Sequence, residues 1–155
     1  MPQFEQSLVL IKPDAVQRGL MGEIITRFEK KGLKISGLKM MNLKEAVLRE
    51  HYAHVVDRPF FAELAQFMSS SPVVAMTLEG LNAVEVVRKL SGTDNFDFGT
   101  IRGDFSTSQQ RNLVHSSDSL TMAQNEVERF FLPAELFDYD KEEWKQVYAQ
   151  CDQEQ

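Results

Sequence analysis

A single cysteine, Cys151, excludes an internal disulfide, and no residues around it have the spacing of a zinc site. Long hydrophobic runs are missing as well. Leu8 to Ile11 and Val73 to Met76 are the longest, at four residues each, against about 20 for a membrane-spanning helix. No membrane segment is expected. The N-terminus, with Glu5 and no basic flank before an apolar segment, lacks the features of a secretory signal, so a cytoplasmic address is expected. Linkers rich in Gly, Ser or Pro, fixed-period repeats and low-complexity tracts are also absent. Residues 1–140 therefore read as one domain and 141–155 as a polar, acidic tail. Nor is there an excess of positive charge: the net charge is -6. Seven acids and two lysines after Ala134 hold five of those negative charges, leaving 15 bases against 16 acids before it. With no basic, aromatic surface signature, nucleic acid is not expected as a main partner. Any anion must be bound by cations that folding gathers locally.

What is present is an ordinary globular chain of 155 residues, 43% apolar and 26% charged, long enough for a sizeable core. Ser7 to Ile11 is a short aliphatic run ended by Pro13, as expected of a buried strand. Leu20, Ile24, Ile25 and Phe28 repeat at helical spacing, and Gly32 stands where a C-terminal cap belongs. Leu33 to Met41 reads as a strand. Asn42 and Glu45 have capping-box spacing for a helix through about Ala53, and Pro59 suits the first turn of a helix through Met68. Pro72 to Leu78 is the best strand signal in the chain, and Val84, Val87 and Leu90 define the next helix. Ser91 to Gln110 holds three of the eight glycines and no sustained period, so a long loop is expected. Asn112 to Ser116 alternates like a strand, with Leu113 and His115 on one face. A last amphipathic helix runs from Leu120 to Phe131, stopped by Pro133. This order suits an α/β plait with helices covering one face of a sheet.

Of three histidines, only His115 sits among polar side chains, in Asn112-Leu113-Val114-His115-Ser116-Ser117-Asp118-Ser119. At a strand end it is either placed to react or a core imidazole bonded to backbone. Glu126 falls on the apolar stripe of the last helix, where a carboxylate is costly unless paired. It either reaches back to orient the His115 ring or sits solvated at the stripe edge. Candidate anion binders are spread over separate segments: Lys12, Arg58, Arg88 and Arg102, the last flanked by glycines that allow a ligand close to the backbone. Any one of them alone reads as a surface charge; their convergence would make a phosphate site. There is no Walker-type loop and no kinase catalytic-loop signature, so phosphate handling would need another device, and a histidine nucleophile is a natural candidate. Tyr52, Phe60 and Phe61 are the aromatic candidates for stacking on a base. Phe60 and Leu64 share a helix face that forms either a cleft wall or core.

Lys12-Pro13-Asp14, Val16-Gln17-Arg18-Gly19-Leu20, Arg58-Pro59-Phe60-Phe61, Gly99-Thr100-Ile101-Arg102-Gly103-Asp104 and the segment around His115, taken together in this order, resemble the nucleoside diphosphate kinases from Leu8 to about Tyr139. The resemblance implies a ferredoxin-like βαββαβ fold with a four-stranded antiparallel sheet covered by helices. It also implies ping-pong transfer of a γ-phosphoryl group from a nucleoside triphosphate to a nucleoside diphosphate through a phosphohistidine. On this resemblance His115 is the nucleophile, through Nδ1, and Glu126 is the carboxylate beside it. Lys12, Tyr52, Arg88, Arg102 and Asn112 hold phosphates and sugar, Thr93 contacts phosphate, and Phe60 stacks on the base with Leu64 beside it. Mg2+ would ride on the nucleotide phosphates, with no protein ligand named. A homo-oligomer is implied, a hexamer before a tetramer. The chain differs from the family pattern at Ser116, where Gly is usual, in a 92–98 loop about three residues shorter, and at Gln109, where an aliphatic residue often covers the base. Two other classes are a nucleotide-binding module without catalysis, whose simplest mark would be a lost nucleophile, and a structural oligomerisation domain.

Overall fold

The computed structural model describes residues 4–154. In chain order it has β1 (Phe4–Ile11), α1 (Pro13–Gln17), α2 (Met21–Lys30), β2 (Lys34–Met41), α3 (Glu45–His51), α4 (Phe61–Ser69), β3 (Val73–Leu81) and α5 (Ala83–Ser91), followed by α6 (Ile101–Phe105), β4 (Val114–Ser116), α7 (Leu120–Phe130), α8 (Trp144–Val147) and α9 (Gln150–Gln153). The strands form one antiparallel sheet in the order β2-β3-β1-β4, the ferredoxin-like plait expected from the sequence.

The two unbroken aliphatic runs become the two central strands, because only a strand covered on both faces buries every side chain. Leu8, Val9, Leu10 and Ile11 are all fully buried. Their alternation divides them between two cores. Val9 and Ile11 join Ile24, Phe28, Met76 and Val87 on one side of the sheet, while Leu8 and Leu10 join Leu48, Met68, Val127 and Phe130 on the other. Helices therefore cover both faces, not the single face read from element order alone. The edge strand β2 alternates instead and leaves Leu38 and Met40 about half exposed.

Helix α2 ends as its sequence suggests. Gly32 takes φ +98, and the amides of Gly32 and Leu33 close back on Glu29 and Phe28, a left-handed C-terminal cap. Three local expectations differ. The cap of α3 is Lys44, with no side-chain bond from Asn42, so that pair makes no capping box. The long loop contains α6, one and a half turns started by Thr100, whose hydroxyl accepts from the Gly103 amide at 3.0 Å. Five residues cannot establish a visible period. The tail is polar in composition, yet Trp144 donates its indole N–H to the Gly32 carbonyl at 2.8 Å and packs on Phe4. The Tyr148 hydroxyl accepts from the Leu81 amide at 3.1 Å. Among the described residues no helix is long and apolar enough to cross a membrane.

Candidate active site

The site assembles where β1 and β4 end side by side. Leu10 is the cross-strand partner of His115, and the chain leaves β1 through Lys12 into α1, with Pro13 in the first turn. Leu113, just before β4, holds φ +76, a conformation that costs a branched residue about 1–3 kcal/mol. Two bonds fix it there. Its amide donates to Asp14 Oδ2 at 3.0 Å, and its carbonyl accepts from the Lys12 amide at 2.9 Å. The strain also interrupts the alternation expected from Asn112, so β4 starts at Val114.

Lys12 is buried, and its ammonium donates to Asn112 Oδ1 at 2.8 Å and to the Gln110 carbonyl at 3.0 Å. Burial pushes its pKa down to about 8, against the pull of Asp14 and with the help of Arg102. The Arg102 guanidinium is held by three backbone carbonyls: Gly92 at 2.7 Å, Val114 at 2.6 Å and Asn112 at 3.3 Å. Burial first, and then Arg88, hold its pKa below the ordinary arginine value despite Asp118. The flanking glycine has a different use from the one expected. A Cβ on Gly103 would collide with the Asp97 carbonyl, so its bareness admits the chain's own turn. Arg88 donates to the Asp118 carbonyl at 3.0 Å and pairs with its carboxylate at 3.3 Å.

His115 is half-buried, and its Nε2 lies 2.5 Å from Oε2 of Glu126. On α7 the buried positions are Ala123, Glu126, Val127 and Phe130, so the carboxylate occupies the apolar stripe, only 1% exposed. Burial works to raise its pKa. The hydrogen bond and charge of His115, helped by Ser117 and His51, outweigh that and hold it below the usual carboxylate range. The ionised carboxylate accepts only. His115 therefore carries a proton on Nε2, which leaves Nδ1 as the ring nitrogen that can present a lone pair.

Two clefts of about 1150 and 780 Å3 meet at this imidazole, sharing Tyr52, Arg102 and His115. The larger also takes in Arg88, Thr93, Ser116 and Asp118. The smaller takes in Lys12, Phe60, Leu64, Gln109 and Asn112. All ten residues singled out for the site thus line one continuous groove. Phe60 is half exposed at its mouth, whereas Phe61 is 7% exposed and belongs to the core, and Arg58 lines neither cleft. Tyr52 lies beside the centre, its phenol pushed up to about 12 by burial and by Glu126.

Two participants escaped the sequence reading. His51 packs its ring 4.5 Å from that of His115, at 81°, and Arg129 places Nη1 2.9 Å from His51 Nδ1. Burial, then His115 and Arg129, depress the His51 pKa to about 3 although Glu126 favours its charged form. Arg129 lies three residues beyond Glu126, a spacing that puts both on one helix face, but nothing in α7 announces what α3 brings opposite it. His51, His115 and Glu126 have donor atoms within 4.8 Å of one another. Nitrogen donors of that kind suit zinc better than magnesium, and a guanidinium already occupies the His51 Nδ1 lone pair.

The nucleoside diphosphate kinase family model matches residues 5–136. The chain belongs to the nucleoside diphosphate kinase family. It is 50% identical over 149 residues to a nucleoside diphosphate kinase of Parabacteroides distasonis, covering 94% of this chain and 97% of that protein. It is 51% identical over 142 residues to human nucleoside diphosphate kinase A, covering 90% and 93%. A solved structure of a halophilic nucleoside diphosphate kinase from Halobacterium salinarum, in complex with CDP, superposes with a TM-score of 0.90 at 44% identity, covering 94% of this chain and 99% of that one. The activity that goes with this family is phosphoryl transfer between nucleotides, and the chain is a phosphotransferase of that class.

Proposed function

We propose that this kinase works by a ping-pong cycle in which Nδ1 of His115 is the phosphorylated atom. The observation that carries the reading is the 2.5 Å contact between Glu126 and His115 Nε2, which leaves the opposite ring nitrogen as the nucleophile. In the first half-reaction the Nδ1 lone pair attacks the γ-phosphorus of a nucleoside triphosphate. An N–P bond forms, the bond to the β-phosphate oxygen breaks, and the diphosphate leaves. Glu126 balances the charge that then develops on the ring. In the second half-reaction a terminal phosphate oxygen of another diphosphate attacks the same phosphorus and restores the imidazole. Phosphoryl transfer has a loose transition state, so positioned cations are what catalysis needs. Lys12, Arg88 and Arg102 supply them, with Asn112, Tyr52 and Thr93 as further polar groups for phosphate and sugar. Phe60, flanked by Leu64, offers a face for stacking rather than a reader of base edges, which favours a broad nucleotide range.

The groove fits Mg2+ carried on the substrate phosphates. Its cations favour phosphate, and Asp118 beside Arg88 is a carboxylate able to offer the ion an oxygen. Bound there, the metal would neutralise phosphate charge. The working unit is residues 1–140, in the cytoplasm. A homo-oligomer, hexamer before tetramer, accords with an edge strand that exposes Leu38 and Met40 and a 92–98 loop that exposes Phe96 and Phe98.

Incubation with γ-labelled ATP and no acceptor tests the cycle. Folded protein should acquire an acid-labile, base-stable label that ADP removes, and His115→Ala should acquire none. Equal labelling of the variant would overturn the assignment. Light scattering at micromolar concentration tests the assembly, and a monomer would remove it.

A further inference from the structure

The cycle leaves two groups beside the nucleophile without a task. His51, at the end of α3, is buried at 6% exposure, and its Nδ1 lies 3.5 Å from Glu126 Oε2, the same oxygen that holds His115. Arg129, on α7, lies closer to that Nδ1, with Nη1 at 2.9 Å and its Nε 3.3 Å from Glu50. A guanidinium has five donors, no acceptor and no accessible neutral form. His51 Nδ1 is therefore the acceptor, and the His51 proton sits on Nε2. That Nε2 is buried without a hydrogen-bond partner. Left to itself the ring would place its proton on Nδ1 and donate it to the nearby carboxylate, because a buried N–H left without an acceptor is costly.

We infer that Arg129 and His51 form a tautomer lock that reserves Glu126 for His115, making both of them positioning residues for the nucleophile. The inference rests on the assignment of His115 above. With His51 protonated on Nδ1, two imidazoles would compete for Oε2, and the hold on His115 would weaken. His115 could then move its proton to Nδ1, the atom that must attack with a free lone pair. The guanidinium blocks that outcome by occupying the His51 lone pair. His51, kept neutral by burial and its neighbours, then packs crosswise on His115 and offers no second donor to Glu126.

The test combines 15N-resolved imidazole spectra of the full chain at neutral pH with single-turnover phosphoenzyme formation from MgATP. Wild-type His51 should show a protonated Nε2 and an unprotonated Nδ1. Arg129→Met should mix or invert that pattern and slow phosphoenzyme formation by about tenfold, with ADP affinity altered less than about twofold. Arg129→Lys, which keeps a donor, should recover most of the rate. His51→Asn, whose Oδ1 stands near the Nδ1 position, should recover most of what His51→Leu loses, and this pair carries the test if Arg129→Met does not fold. An unchanged His51 tautomer in Arg129→Met, an unchanged rate, or no difference between His51→Asn and His51→Leu would overturn the lock. Failure of the underlying assignment looks different, since label would then persist on His115→Ala whatever the state of His51.

Discussion

The two sides of the His115 ring are built from different materials. Behind it stands a largely buried row of side chains, His51, Glu126 and Arg129, each bonded to another side chain, the first two closing the inner wall of the larger cleft. In front lies an open groove whose cations are held largely by backbone oxygens, Gly92, Val114 and Asn112 for Arg102, Gln110 for Lys12 and Asp118 for Arg88, with the Asn112 amide oxygen and the Asp118 carboxylate as the side-chain partners. A carbonyl can be exchanged for a phosphate oxygen without stranding a charge, so the front can trade partners every turnover. The rear cannot, because removing one member leaves a buried group unpaired. The contrast separates residues that should affect the rate from residues that should affect affinity.

The severest way to break the contrast is Glu126→Ala. Phosphoenzyme formation should fall by about 100- to 1000-fold, while equilibrium dialysis finds ADP binding within a factor of a few. A parallel loss of both would merge the two sides into one. Next in size is Phe61→Ala, which empties core and should cost about 3 kcal/mol in chemical denaturation with nucleotide affinity retained.

Acid then probes the rear, most cleanly above the range in which Asp104 and Glu135 titrate. His51 has a folded pKa near 3 against an ordinary 6.5, so below 6.5 the unfolded chain binds a proton that the folded one refuses. Its contribution to stability is present above pH 6.5 and is lost as pH falls from there toward 3, by up to about 1.4 kcal/mol per pH unit. Replacing His51 with Gln should flatten that slope in urea titrations over this window, and an unaltered slope would place the titration elsewhere.

Base probes the front. The Lys12 ammonium, with a pKa near 8, is charged below that value and loses its proton above it. Bound phosphate favours the charged form, so ADP affinity should decline above pH 8 by up to about tenfold per unit. Lys12→Arg should abolish the decline, and calorimetry in two buffers should detect proton uptake on binding near pH 8.5. The smallest effect is expected of Phe60→Ala: about 1 kcal/mol of binding from lost stacking, similar for purine and pyrimidine nucleotides, with stability unchanged because Phe60 is half exposed.

The front was far more legible in the sequence than the rear. Lys12, Arg102, Asn112 and His115 sit in short segments with turn, strand and cap signals of their own, and chemistry that serves a phosphate shows in residue type. Glu126 was visible as a carboxylate on an apolar stripe. His51 and Arg129 were not, because each is unremarkable within its helix and becomes informative only once α3 and α7 meet. The fold divides in the same way. Strands β1 and β3 could be read from unbroken aliphatic runs, and α2 and α7 from their period. Helices α1 and α6, at five residues, are too short for a period, and the approach of Gly103 to Asp97 depends on a turn that only the folded chain makes.

The docked tail also resolves an electrostatic puzzle. An acidic protein must attract polyphosphates, yet seven of its acids follow Ala134. Trp144 fastens the stretch that carries Glu142 and Glu143 against Phe4 and Gly32, at the start of β1, whereas His115 pairs with Leu10 near its end. Six residues of strand separate these points, about 20 Å, roughly twice the distance over which physiological salt extinguishes a charge. Glu135 and Asp138 are offset by Lys39 and Lys34, so between pairing and distance the chain spares an incoming nucleotide much of the tail's repulsion.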